Sequence, residues 1–282
     1  MKATLLLCLT ATLAAGCTGD AGPSTPPSVS GAPVTIPTRM LEAGAALLQD
    51  KAPIDAINAY LDGFHFYNGN MGLQMEAHHY CSRLNEEVIQ CVIYDGRGRS
   101  ARLMGLEYII SARLFAQLPA AEKLLWHSHV HEVKSGQLVA PGIPEVVERQ
   151  LMRRLVGTYG KTWHTWHAAH ASGAPHGPHG SRGTASPPTA RSPSASASGA
   201  FDALPLGVPQ LMMGFTADGQ ADAAMVARRD AAFGIDSAAR RERRSGIPSP
   251  SIDAAADAWQ KGQRFRVQMQ GAEPGPHPSP AQ

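Results

Sequence analysis

The sequence predicts an α+β fold, a single mixed domain of antiparallel strands and short packed helices. Three observations carry this. Ala77–Leu84 and Val88–Tyr94 are two strand-forming runs with Asn85 and Glu86 in the turn between them, a hairpin pattern. Pro144–Val156 has the charge order of a helix, with Glu145 and Glu148 early and Arg153 and Arg154 late. With both ends of the chain set aside, about 230 residues remain, enough for one sizeable core and too few for two.

From the N-terminus, Lys2 precedes an apolar run, Leu5-Leu6-Leu7-Cys8-Leu9, that continues to Leu13-Ala14-Ala15-Gly16-Cys17. A short positive region, an apolar stretch of this length and small residues at the end predict a signal peptide over 1–16. The stretch is too short to span a bilayer as a mature helix. Its ending resembles the lipobox of bacterial lipoproteins, which implies lipidation at Cys17, and several acyl chains there would anchor the protein stably. Thr18, in place of an aspartate, implies sorting to the outer membrane, with the protein facing the periplasm. Residues 17–39, rich in Pro, Ser, Gly and Thr, read as a lipidated flexible tether.

The folded domain is expected over 40–245. Met40–Leu48 and Ile54–Leu61 have helical spacing, broken by Pro53. His65 stands among aromatics and reads as a core residue. In the hairpin, a turn centred on Glu86 puts Cys81 opposite Cys91. The two can form a disulfide, stand as buried thiols, or lend Cys81 to a metal. Arg102–Ser111 reads as a strand, Ala112–Leu118 and Glu122–Trp126 as short helices, and Gly136–Gly142 as a strand ending in a turn. After the helix of Pro144–Val156, Thr158–His167 is a second aromatic-histidine strand. Residues 171–200, almost all small, Pro, Arg and His, predict a disordered insertion. Leu204–Gly219 reads as a strand and turn and Ala221–Phe233 as a helix. Arg240-Arg-Glu-Arg-Arg is a solvated helix end or, more sharply, a contact for anionic lipid headgroups. Residues 246–282 are expected to be a mostly disordered tail.

Chemistry concentrates in Trp126–Gly136, WHSHVHEVKSG. If this stretch is extended, His127, His129 and His131 share one face, and imidazole is the commonest protein metal ligand. Structural hydrogen bonding of a polar strand is the competing use. Of His164 and His167, His164 is the one expected to join. Net charge is +2 and no glycine-rich phosphate loop occurs, so no nucleic-acid partner is indicated.

The segments HHYCSRLNEEVIQCVIYD, ARLMGLEYIIS, LWHSHVHEVKSGQLVAPGIPE, TYGKTWHTW and LPLGVPQLMMGFTADGQ, in this order, resemble the oil body-associated protein family, a domain of unknown function. The resemblance covers about residues 40–245 and implies association with a lipid or lipid-droplet surface. Matching polar positions are His79, Cys81, Cys91, Glu107, His127, His129, Glu132, Lys134 and His164, whereas His131 and His167 depart from the pattern. A site common to the family then rests on His127, His129, Glu132 and His164, a donor set suited to a divalent metal such as zinc or iron. The leading expectation is a membrane-anchored cell-envelope lipoprotein acting as a lipid-interface binding or structural protein. The alternative is a metal-dependent, cupin-like enzyme with Glu132 as base or ligand.

Overall fold

Seven strands pair antiparallel in one sheet: β1 (Ala59–Tyr67), β2 (Asn70–Asn85), β3 (Val88–Tyr94), β4 (Leu103–Ser111), β5 (His127–Ser128), β6 (Thr158–Trp166) and β7 (Leu206–Met213). The computed structural model describes residues 33–166 and 206–268. Strand order is β4-β3-β2-β1-β7-β6-β5, and a further pairing of β4 with β6 closes the sheet into a barrel. Closure requires tilted, staggered strands, and the register shows the stagger. The row Cys81, Cys91, Glu107, Thr162, Met212 returns to β1 at Tyr67, whereas Cys81 itself faces Ala59. The fold is the α+β class that the hairpin and helix patterns predict.

Around the sheet lie α1 (Ile36–Leu48), α2 (Ala52–Asp55), α3 (Ala112–Ala116), α4 (Ala120–Lys123), α5 (Val130–Lys134), α6 (Glu145–Leu155), α7 (Ala223–Phe233) and α8 (Ser237–Arg243). Side-chain alternation sorts the strands into an inner and an outer face. One end of the barrel is filled by Leu61, Cys81, Cys91 and Ile109 against Val133, Leu138 and Met152. Tyr67, Met75, Ala77, Ile93 and Met212 fill the other. On the outer face, Phe64, Phe66, Leu211 and Met213 are covered by Phe215 and by Met225 of α7.

Several expectations change. Helix stops at Asp55, and Ala59–Leu61 belongs to β1. The apolar spacing of Ile54–Leu61 is shared by both structures, and pairing with β2 decides for strand. Gly136–Gly142 makes one bridge, Val139 with Asp62, rather than a strand. The chain beyond 245 packs instead of trailing off: Ile247, Ala256, Asp257 and Ala258 are buried, and Asp257 accepts from the amide and hydroxyl of Ser128. The Ile, Ala and Trp spaced through 247–259 provide the apolar surface that the proline content masks. The signal, Cys17, His167, the insertion 171–200 and the end of the tail lie outside the described residues.

The arginine run is also corrected. Arg240 and Arg244 pair with buried Glu148, Arg243 with Glu145 and Arg241 with Asp218. These charges lock α8 to α6 and to the turn before α7, so they are not a bare cationic patch for lipid headgroups.

Cys81 and Cys91 oppose one another in the β2–β3 hairpin and are joined as a disulfide, with Cα atoms 4.0 Å apart. Closing so short a loop restricts the unfolded chain modestly. Replacing both by Ala is expected to lower stability by about 2–3 kcal/mol, read from denaturant unfolding. An unchanged midpoint would show the bridge to be energetically idle.

α1 has a different status from every other long helix. Thr35 caps its first turn, yet none of its residues is buried. Ile36, Met40 and Leu47 line one side with Leu41 and Leu48 beside them, and Leu47 is 84 % exposed. No helix among the described residues is long and apolar enough to cross a membrane.

Candidate metal centre

Glu107 sits where the β4 alternation demands an inward side chain: Leu106 and Tyr108 face out, while Glu107 is 2 % exposed. A carboxylate in that position is costly unless partnered. Its partners are imidazoles. Oε2 lies 2.8 Å from His79 Nε2 and 4.0 Å from His65 Nε2. Oε1 lies 3.3 Å from His129 Nε2 and 3.5 Å from His127 Nε2. Glu132 Oε2 stands 3.8 Å from His129 Nε2. His164 closes the ring, its centroid 5.4 Å from that of His65. All seven side chains are buried.

Each residue arrives by a local rule. β1 contributes His65, β2 His79 and β6 His164, each buried within its strand. β5 ends after His127 and Ser128, and His129 becomes the residue before α5. The helical turn then brings Glu132, three residues on, back beside His129. His131 is carried away from the cluster. It is half-buried, toward Asp218 and Arg241. The extended face of three alternating histidines is therefore not what forms.

Two glycines make the room. A Cβ at Gly160 would fall 2.1 Å from Glu107 Oε1 and 2.8 Å from Nε2 of both His127 and His129. At Gly214 it would fall 2.9 Å from His127 Cδ2 and 3.0 Å from the Glu132 carboxyl.

Electrostatics separate the two acids. Burial pushes Glu107 up, but His127, His129 and His79 outweigh it and hold the carboxylate well below its usual range. Glu132 is pushed up to about 8, by burial first, with the His127 charge opposing and Glu107 and Asp257 adding. Burial lowers His65 and His129. His127 goes the other way, because Glu107 and then Glu132 and Asp257 outweigh its burial. Nδ1 of His65 and His79 and both ring nitrogens of His127 are buried without a hydrogen-bond partner. A buried ring nitrogen left without a partner is costly, and of these His127 Nε2 is the one turned toward Glu107, whereas His65 and His79 face the carboxylate with Nε2. The triads His65, Glu107, His127 and His127, His129, Glu132 each bring one donor atom apiece within 4.8 Å of one another.

Of the residues expected from sequence, the structure gathers His127, His129, Glu132 and His164. It adds His65, which reads as core in the sequence, and His79 and Glu107. A signal for Glu107 was present: one acid in the otherwise apolar run Met104–Ser111. Lys134 instead donates to the carbonyls of Arg244, Ser245 and Ile247, a structural tie. A third group, Asp62, Glu76 and His78, lies on the outer face. It is engaged by Arg229 on Asp62 and by the Tyr60 hydroxyl, which is hydrogen-bonded to His78 Nδ1 at 2.7 Å.

The family profile described as "Protein of unknown function (DUF1264)" matches residues 51–181 and 197–248. The chain is 40 % identical to "Oil body-associated protein 1A" of Zea mays over 241 residues, 85 % of this chain and 89 % of the relative. It is 35 % identical to "Oil body-associated protein 1B" of Arabidopsis thaliana over 250 residues, covering 88 % and 91 %. "Oil body-associated protein 2C" of Arabidopsis thaliana is 34 % identical over 251 residues, covering 88 % and 93 %. No solved structure matches the chain. With the profile spanning more than half of the chain and relatives aligned along most of their length, the chain belongs to the oil body-associated protein family.

Proposed function

We propose that this protein is a cell-envelope lipoprotein, anchored in the outer membrane and facing the periplasm, whose barrel binds a divalent metal ion, zinc or iron, beside a lipid surface. The observation that carries the metal reading is the convergence of five imidazoles and two carboxylates inside the barrel, four of the imidazoles turning Nε2 toward Glu107. Mixed nitrogen and carboxylate donors suit zinc and iron. Burial favours a held ion over an open reaction site. Two surface depressions, one lined by Leu103, Leu106, Trp163 and neighbours and the other by Tyr80, Val92, Tyr94 and neighbours, contain none of the seven donors. Glu132 would serve as a ligand or proton store rather than as a base acting on a large substrate.

Metal analysis of the purified full-length chain beside a His127→Ala/His129→Ala variant tests this. At least one equivalent of zinc or iron is expected in the parent and a loss of tenfold or more in the variant. Substoichiometric metal in both would end the reading.

The lipid reading has its own supports. Leu13-Ala14-Ala15-Gly16-Cys17 resembles a lipobox, the relatives bear oil-body names, and α1 offers an apolar stripe that the domain leaves uncovered. An amphipathic helix of this kind lies in the interface plane with its apolar side in the acyl boundary. A Cys17→Ser protein is expected to float with phosphatidylethanolamine/phosphatidylglycerol vesicles or triolein droplets. Adding Met40→Ser, Leu47→Ser and Leu48→Ser should cut flotation at least tenfold. If Cys17→Ser alone abolishes flotation, the lipid role belongs to the anchor and α1 has none.

A further inference from the structure

We propose that the barrel holds not one cation but two, with Glu107 as the bridge between them; this rests on the metal reading above. The geometry divides about that one carboxylate. Oε2 faces His79 and His65, from β2 and β1, at 2.8 and 4.0 Å. Oε1 faces His129 and His127, from the β5–α5 segment, at 3.3 and 3.5 Å. A carboxylate whose two oxygens each look at a separate pair of imidazoles is arranged as a bridge, not as a terminal ligand of a single ion.

Each half has the donors that an ion needs. The half on Oε1 is completed by Glu132, 3.8 Å from His129 Nε2, giving two nitrogens and two carboxylates. The half on Oε2 has His65 and His79, and His164 packs against His65 from β6. Ligands about 2.0–2.1 Å from a tetrahedral zinc lie roughly 3.3 Å from one another. The separations from Glu107 to His65, His127 and His129, and from Glu132 to His129, run from 3.3 to 4.0 Å. They are at or beyond the long end of an ordinary hydrogen bond and begin at that ligand spacing. The donor atoms of His65, Glu107 and His127 also lie within 4.8 Å of one another, so the two ions would be close neighbours across the carboxylate, and the direct His79–Glu107 hydrogen bond of 2.8 Å would have to part to admit the ion on Oε2.

The two halves depend on different parts of the chain. One draws on β1, β2 and β6, the barrel wall. The other draws on one short segment, His127–Glu132, that begins as strand and ends as helix. The segment-borne ion is thus the one that a local change should release alone.

The test is stoichiometry on the detergent-solubilised full-length chain, loaded with zinc and washed, by elemental analysis against protein concentration. Two equivalents are expected. Glu132→Gln with His129→Ala should leave one, and His65→Ala with His79→Ala should leave one. Glu107→Gln should weaken retention of both by at least tenfold. Cobalt loading gives a second readout: the parent should bind in two spectroscopically resolved steps, and each half variant in one. Circular dichroism with the Cys81–Cys91 bridge intact establishes that each variant is folded, and the parent stoichiometry stands without any variant. One equivalent in the parent overturns the bridge and leaves a single-ion barrel. None overturns both this inference and the metal reading.

Discussion

Gly160→Ala is expected to damage both the stability of the protein and its metal site. The added carbon would stand 2.1 Å from Glu107 Oε1 and 2.8 Å from His127 and His129 Nε2. None of these can retreat easily. Gly160 is held on one edge by Ile109 of β4 and on the other by His127 of β5. Overpacking a filled core ordinarily costs about 1–3 kcal/mol. Displacing a buried, multiply partnered carboxylate adds to that, so a loss of roughly 3 kcal/mol or more is expected. Metal retention should fall by tenfold or more in the same variant. Gly44→Ala is the control, since a Cβ there meets nothing within 4 Å. Thermal unfolding and metal content of the two variants check this. A Gly160→Ala protein as stable and as metal-loaded as Gly44→Ala would show that the cluster is not packed as described.

Arg229→Met carries the second large effect. The Arg229 side chain is wholly buried on α7, and Nη1 donates to Asp62 Oδ1 at 2.6 Å and to the Gln137 carbonyl at 2.8 Å. Nη2 reaches Ser237 Oγ at 3.0 Å, and the guanidinium stacks 4.6 Å from the Phe64 ring centre. One side chain thereby ties β1, the loop before α6, α7 and α8. Removing one partner of a buried pair strands the other, at a cost of about 3–5 kcal/mol. Burial pushes the Asp62 carboxyl up to about 8, Glu76 adds, and Arg229 is what opposes them. Without Arg229 the folded carboxyl stays protonated while the unfolded one ionises near its ordinary value. The folded state then binds more protons, so stability falls as pH rises toward and through the raised value. The Arg229→Met penalty should therefore be larger at pH 8 than at pH 5. Asp62→Asn in the same background should recover part of it. A penalty independent of pH would show that the Asp62 charge is not the cause.

The β2–β3 hairpin and its register, the β4 strand, the α6 helix and the order of elements around them were readable in the sequence. Each is a local matter: alternation, a two-residue turn, or charges ordered along a helix. Where local signals were ambiguous they misled. Ile54–Leu61 satisfied two periodicities, and the prolines of 246–268 hid residues that bury. His127, His129 and Glu132 lie within one turn of chain, so their meeting could be anticipated, although as a strand face rather than a strand end running into a helix.

The sequence alone determined that Cys81 faces Cys91 across the hairpin, and it determined family membership through long matching segments. Only the tertiary structure decided that β4 pairs with β6, bringing Glu107 and His164 into the enclosure that also holds His65 and His79. The reason is physical. Alternation is a property of one strand and costs nothing to read, whereas closure depends on pairing between residues far apart in the chain, on twist and on stagger. Burial then turned a lone acid among apolar residues into the centre of the cluster, because a carboxylate enclosed there must gather partners from wherever the closed sheet places them.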